Sequence, residues 1–161
     1  MRWLLVDQFC DIKKGESARG YRCVTRSEGA LTDDFPAFPV MPASLLLEMM
    51  AQVGGVLAGA TIDFSKEVVL AKISDAVFYK DVTPPASLEI RARLGDLGEE
   101  AAVTECEIWD RDTLVAKGNV FFGLFDQLNG DGKGPIVFSR DFMDSFAIRQ
   151  ATQGPRPAPG A

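Results

Sequence analysis

The sequence contains no histidine, so the chain itself lacks the imidazole that most often acts as a general base near neutral pH. Cysteine is scarce as well: Cys10, Cys23 and Cys106 are widely spaced and odd in number, which excludes a disulfide framework and a metal-binding thiol pair. Carboxylates without histidine partners favour neither zinc nor iron, so we expect no metal and no cofactor. Three thiols of this kind are typical of a core in a reducing cytosol.

Basic charge is also in short supply. The 17 Lys and Arg are outnumbered by 23 Asp and Glu, and the net charge of −6 excludes the basic patch that nucleic-acid binding needs. No apolar run reaches the ~18–20 residues of a membrane span without a Glu or paired glycines, and the run from Arg2 to Asp7 is too short for a signal-peptide core. We therefore expect a cytoplasmic protein, with 47% apolar residues for the core of one domain.

The stretch from Pro42 to Ala60 predicts one long helix. Proline suits its first turn, Gly59 suits its end, and the residues between them are strong helix formers. The helix is apolar on every face, which indicates burial inside the domain. Beyond the first turn only Glu48 and Gln52 interrupt the apolar surface, and a spacing of four places them on one face. A carboxylate in such surroundings must be paired, protonated or used in chemistry.

Strands are predicted on both sides of this helix. In chain order they cover Trp3 to Ile12, Ala18 to Thr25, Lys66 to Ala76, Leu88 to Leu94, Ala102 to Trp109 and Leu114 to Phe125, the first two as a hairpin. Five or six mostly antiparallel strands and one buried helix predict an α+β domain over residues 1–126 whose sheet wraps the helix. Residues 127–161 predict a C-terminal extension: a flexible link, a short amphipathic helix within Phe138 to Ile148, and a disordered Pro/Gly tail.

The stretch from Asp33 to Gln52 resembles the signature of the β-hydroxyacyl-acyl-carrier-protein dehydratases of fatty-acid synthesis, which reads roughly G-H-F-P-x-x-P-x-x-P-G-x-L-x-x-E-A-M-A-Q. The positions in register are Phe35, Pro36, Pro39, Pro42, Leu45, Glu48, Met50, Ala51 and Gln52. Weaker similarity continues to about Phe122. The resemblance implies a hot-dog fold, in which an antiparallel sheet wraps a helix, and a dimer with acyl tunnels at the subunit interface.

What the resemblance implies about chemistry depends on two carboxylates. In the family, a histidine removes the α-proton of a 3-hydroxyacyl thioester and a helix carboxylate protonates the departing hydroxyl group, a role that falls here on Glu48. Backbone amides near Ala43 and Ser44 would polarise the thioester carbonyl at the helix start. Asp33-Asp34 replaces the family's Gly-His pair, which leaves Asp34 as the candidate base. Aspartate is shorter than histidine, and its reference pKa of ~3.9 is about 2.6 units lower than that of histidine.

The further candidates for acyl binding in this stretch are Phe35, Met41 and Gln52. Phenylalanine and methionine offer the apolar, adaptable surface that suits a fatty chain. Structural explanations stand beside these roles. Glu48 can be satisfied by Gln52 or by a loop amide, Asp34 can cap a turn, and Ser44 can serve as a first-turn residue.

The resemblance, with Asp34 in place of the family histidine, favours a dehydratase-like protein of altered or lost activity. Three functions are open at this point. The first is an active or residually active dehydratase that uses Asp34 and Glu48. The second is a non-catalytic subunit that binds acyl chains or acyl carriers and pairs with a histidine-bearing homologue. The third is a hot-dog thioesterase. In each case the predicted partner is an acyl-ACP or acyl-CoA thioester, and the predicted assembly is a homodimer, a higher oligomer or a heteromer.

Overall fold

The computed structural model describes residues 4–27, 39–126, 137–146 and 148. The elements, in chain order, are β1 (Gln8–Lys13), β2 (Ser17–Val24), α1 (Ala43–Thr61), β3 (Glu67–Phe78), β4 (Ala86–Leu97), β5 (Ala101–Asp110), β6 (Thr113–Phe125) and α2 (Arg140–Ser145). The candidate residues Asp34 and Phe35, the predicted flexible link and the predicted tail lie outside the described residues. Helix α2 falls within the range for which a short amphipathic helix is predicted.

The six strands form one sheet in the order β1-β2-β4-β5-β6-β3, and every neighbouring pair is antiparallel. The predicted hairpin is confirmed, because β1 pairs with β2 in a register that places Gln8 opposite Tyr21. Strands β1 and β3 are the two edges. The sheet wraps α1, so the predicted α+β architecture with one long central helix is confirmed.

Helix α1 begins at Ala43 with Pro42 as its N-cap residue, and it ends at Thr61. The predicted helix from Pro42 to Ala60 is confirmed to within one residue at each end, and Gly59 does not terminate it. The carbonyl oxygen of Gly59 accepts hydrogen bonds from the N–H groups of Ile62 (3.2 Å) and Phe64 (2.7 Å), so the glycine lies within the last turn and the chain reverses after it. Satisfying late carbonyls through following amides is a common way to end a helix.

The sheet buries most of α1. Its largest fully buried side chains are Met49, Met50, Val53 and Leu57. At Gly54 the helix backbone approaches β5 so closely that an added Cβ would lie 2.4 Å from Thr104 Oγ1. The helix is long and apolar enough to cross a membrane, but 72% of its most apolar window is buried inside the protein. It is therefore the core helix of the domain.

The outer face of the sheet carries paired charges. Arg91 donates two hydrogen bonds to the Glu89 carboxylate, each at 3.1 Å, and Arg19 donates a third at 3.3 Å. Arg91 is the main cause of the lowered pKa of Glu89, and Arg19 adds to it. The Arg91 guanidinium also lies 4.9 Å from the centre of the Trp109 ring. This face of the sheet is polar and solvated, and the buried apolar side chains of the strands lie on the inner face, against α1.

Chemical labelling of the cysteine thiols tests the burial of Cys106 in the core. Burial raises the pKa of the Cys106 thiol to about 12, whereas Cys23 is exposed. At about pH 8 the thiolate fraction of Cys106 is then about one part in ten thousand, and only the thiolate reacts. We expect iodoacetamide to label Cys23 in the native protein and Cys106 only after denaturation, as read by peptide mass mapping. Equal labelling of both in the native state would contradict this packing.

Candidate functional site

A cavity of about 460 Å³ lies beside Glu48 and Gln52, the two polar residues in the middle of α1. This volume is within the ~300–1,000 Å³ range of small-molecule sites. Exposed apolar side chains form its rim, and buried aromatic side chains line its depth. The rim residues are Leu4, Leu70 and Val137, and the buried aromatic residues are Phe122, Phe138 and Phe142. The site is an apolar cavity with one acidic side chain, which suits a ligand that is mostly hydrocarbon.

Two hydrogen bonds in series hold the acidic side chain in place. Gln52 Nε2 donates to Glu48 Oε1 at 3.0 Å, and the Leu5 backbone N–H donates to Gln52 Oε1 at 3.1 Å. Because Leu5 occupies the amide oxygen, the amide NH₂ of Gln52 is directed at the carboxylate. Gln52 is buried and Glu48 half-buried. Glu48 Oε2 has no hydrogen-bond partner among the described residues, which leaves this oxygen available to a ligand.

The same hydrogen bonds explain why the first strand starts later than predicted. The sequence predicts a strand that starts at Trp3, but the hydrogen bonds of β1 to β2 begin a regular strand only at Gln8. The Leu5 N–H is committed to the Gln52 side chain, and the chain rejoins the sheet only when the Asp7 N–H donates to the Tyr21 carbonyl oxygen at 2.8 Å. Before β1, Leu5 is thus bound to the helix beside the cavity, and only Asp7 is bound to the sheet.

The structure brings Glu48 and Gln52 together at the cavity, and it places the other described candidates elsewhere. Ala43 and Ser44 lie in the exposed first turn of α1, where neither N–H bonds to another described residue. Met41 is buried in the core, and its N–H donates to the Val82 carbonyl oxygen at 2.8 Å. None of these three is among the described residues that line the cavity.

The sequence alone does not indicate one further buried carboxylate, that of Glu67. Glu67, the first residue of β3, is 0% exposed, and its Oε2 accepts a hydrogen bond from the Val137 N–H at 3.2 Å. In the sequence it stands beside Lys66, like an ordinary charge at a strand boundary, so no local signal marks it. Within the described parts of the chain no group of three or more Cys, Asp and Glu could hold a metal ion.

The long helix wrapped by a six-stranded antiparallel sheet defines a hot-dog fold. The smu.793 protein of Streptococcus mutans, solved bound to acetyl CoA, superposes with a TM-score of 0.64 at 16% identity, covering 78% of this chain and 94% of that one. The dehydratase heterocomplex ApeI:P of Xenorhabdus doucetiae superposes with a TM-score of 0.61 at 20% identity, covering 75% and 82%. At these identities the likeness confirms the predicted fold.

Sequence comparison supplies the family. The model of the FabA-like domain matches residues 1–119. The 3-hydroxyacyl-acyl-carrier-protein dehydratase FabZ of Herpetosiphon aurantiacus is 33% identical over 125 residues, which are 77% of this chain and 89% of the relative. FabZ of Clostridium botulinum is 32% identical over 121 residues, which are 74% and 84%. The chain belongs to the FabA-like family of hot-dog dehydratases, as the motif around Glu48 predicts.

Proposed function

We propose that this chain is a dehydratase-type subunit that binds 3-hydroxyacyl thioesters of fatty-acid or polyketide-type metabolism, with Glu48 as the proton donor. The observation that carries the proposal is the series of hydrogen bonds from Leu5 through Gln52 to Glu48 at the apolar cavity. A carboxylate held on an orienting amide, with its second oxygen available, is positioned for proton transfer. The curated relatives are dehydratases of acyl-carrier-protein thioesters, which supports this substrate class.

The proposed reaction is the loss of water across C2 and C3 of the acyl chain. A base removes a proton from C2, and the electron pair of that C–H bond becomes the C2–C3 double bond. The C3–O bond breaks, and the hydroxyl group leaves as water with the proton that Glu48 donates. The base and Glu48 then exchange protons with solvent to reset the site. The amides at the start of α1, near Ala43 and Ser44, which bond to no other described residue, would polarise the thioester carbonyl.

The base is where this chain departs from its family. Asp34 is the base that the sequence offers, and it is weaker and shorter than histidine; a misplacement of about 1 Å alone can cost ~100-fold in rate. We propose that the chain alone has low activity and that a histidine-bearing homologue completes the site. The ApeI:P heterocomplex is a dehydratase complex of similar fold, which supports a heteromeric assembly for this chain.

The free edge of β3 is the surface we propose for that partner. Strand β3 carries the exposed apolar side chains of Leu70, Val77 and Phe78. Tyr79, which follows the strand, is 51% exposed. An edge strand presents unpaired backbone groups, and exposed apolar side chains on it are a liability in a monomer. A second subunit, whether a copy of this chain or its homologue, would cover both and would lie beside Leu70 at the cavity rim.

The test is dehydration by the purified chain with and without a histidine-bearing FabA-like homologue. We expect the chain alone to turn over 3-hydroxyacyl-ACP or 3-hydroxyacyl-CoA at least about 100-fold more slowly than the histidine-bearing enzyme. Formation of the conjugated enoyl thioester, followed by its ultraviolet absorbance, measures the rate. A rate equal to that of the histidine-bearing enzyme would overturn the proposal of a missing base.

A second product assay separates the thioesterase alternative. Hot-dog proteins include a hypothetical thioesterase of Streptococcus pneumoniae solved with coenzyme A, which superposes with a TM-score of 0.62 at 13% identity. A carboxylate beside an apolar cavity is also an arrangement that can activate water. A dehydratase produces enoyl thioester without free thiol, whereas a thioesterase releases thiol that reacts with Ellman's reagent. Thiol release without enoyl product would mean that the protein is a thioester hydrolase and not a dehydratase.

A further inference from the structure

The described residues from Val137 to Ile148, here called the C-terminal segment, lie beyond the residues that match the family domain. They belong to the core of the molecule. Ser139 caps α2 by accepting a hydrogen bond from the Phe142 N–H at 3.3 Å. Phe138, Phe142, Met143 and Ile148 are each at most 6% exposed. A segment that buries this much apolar surface is a fixed part of the fold.

Aromatic contacts join this segment to the rest of the protein. The Phe138 ring packs 6.2 Å from that of Phe64 and 5.3 Å from that of Phe142, measured between centroids. Phe9 of β1 contacts Phe142 at 6.0 Å and Phe146 at 5.1 Å. Three of these four pairs are edge-to-face, a favourable geometry for aromatic rings, and the pair of Phe138 and Phe142 is tilted. The rings of the segment are thus held between β1 and the turn that follows α1.

Two further contacts fix the segment against the walls of the cavity. At Gly55 of α1 an added Cβ would lie 2.7 Å from Phe138 Cζ, so the ring rests directly on the helix backbone. The Val137 N–H donates to the fully buried carboxylate of Glu67. This hydrogen bond ties the start of the segment to β3.

We propose that Phe138 and Phe142 form an end wall that limits the length of the acyl chain this site accepts. The inference rests on the proposed function and deepens it. Both rings line the same cavity as Glu48, so a chain that passes the carboxylate and fills the cavity meets buried phenyl rings. The segment that carries them lies outside residues 1–119, which match the family domain.

The substitution Phe142→Leu tests the wall, with Phe138→Leu as an independent second variant. Both keep an apolar side chain and shorten it, so they disturb folding less than alanine would. Phe146→Leu is the matched control, because Phe146 belongs to the same aromatic cluster and contacts Phe142 but does not line the cavity. The measurement is binding of acyl-CoA thioesters from butyryl to tetradecanoyl by the full chain, followed by isothermal titration calorimetry.

We expect the affinity of the original chain to rise about fourfold per methylene and then to fall beyond a cut-off length. In Phe142→Leu and Phe138→Leu the cut-off moves to longer chains, and in Phe146→Leu it stays in place. An unchanged cut-off in both wall variants, an equal shift in the control, or no cut-off in the original chain would overturn the inference while leaving acyl binding intact. Absence of binding at every length in all four proteins would overturn the proposed function itself.

Discussion

Replacing Glu48 with glutamine is expected to abolish turnover and to leave acyl binding nearly unchanged. The glutamine is isosteric, and its carbonyl oxygen can still accept the hydrogen bond from Gln52 Nε2. It has no acidic proton to give to the departing hydroxyl group, and general acid–base catalysis contributes typically ~10²–10⁴-fold. The rate is best measured in the mixture with the histidine-bearing homologue, where we expect the highest activity, after subtraction of the rate of the homologue alone.

A thermal-shift series with acyl thioesters of increasing length separates catalysis from binding in this variant. Ligand that binds only the native state raises the melting temperature, so a shift that grows with chain length in both proteins indicates an intact cavity. The exposed carboxylate of Glu105, paired with Arg93 on the outer face, offers the matched control Glu105→Gln. Full turnover in Glu48→Gln would make Glu48 a structural carboxylate rather than the proton donor.

Replacing Gly54 with alanine is expected to destabilise the protein by about 1–3 kcal/mol, even though alanine is the better helix former by ~1 kcal/mol. The new Cβ would lie 2.4 Å from Thr104 Oγ1 and 3.3 Å from Cys106 Sγ. Thr104 is fully buried in the middle of the sheet, so the helix and the sheet must move apart to accept the methyl group. Urea denaturation of the variant and the original chain measures the difference in free energy of unfolding.

A double-mutant cycle tests whether the loss of stability comes from the contact between the added methyl group and Thr104. Thr104→Ala removes the oxygen that the new Cβ would meet, so the double variant should recover part of the stability lost in Gly54→Ala. Gly98→Ala in the turn between β4 and β5 is the matched control, because its added Cβ would meet only the Ala101 carbonyl oxygen at 3.8 Å. Simple additivity of the two core substitutions would show that the loss has a different origin.

Periodic features of the sequence predicted the scaffold well. Alternation along Leu88, Ile90 and Ala92 predicts one-sided burial. The structure buries these three residues against α1, leaves Glu89 half-buried and exposes Arg91. The spacing of Glu48 and Gln52 predicted one shared face, and their side chains are hydrogen-bonded. Such features depend on local geometry, which the spacing of residues along the chain encodes directly.

The cavity could not be predicted in the same way, because contacts between distant parts of the chain complete it. Leu5 reaches Gln52 through a backbone N–H, a group that every residue except proline possesses and that carries no sequence signal. Val137 reaches Glu67 across 70 positions. The phenyl rings of Phe138 and Phe142 predicted a helix of amphipathic character, but nothing in their spacing indicated which cavity they would line.

The hydrogen bond between Val137 and Glu67 has a consequence for biosynthesis. A nascent chain that has emerged as far as Phe125 contains all six strands and α1. At that stage the Glu67 carboxylate lacks the Val137 N–H, and Phe138 and Phe142 have yet to reach the cavity. The ligand site is therefore complete only once the C-terminal segment has been made, so a transcript cut short between these points would encode all six strands without the residues that finish the site.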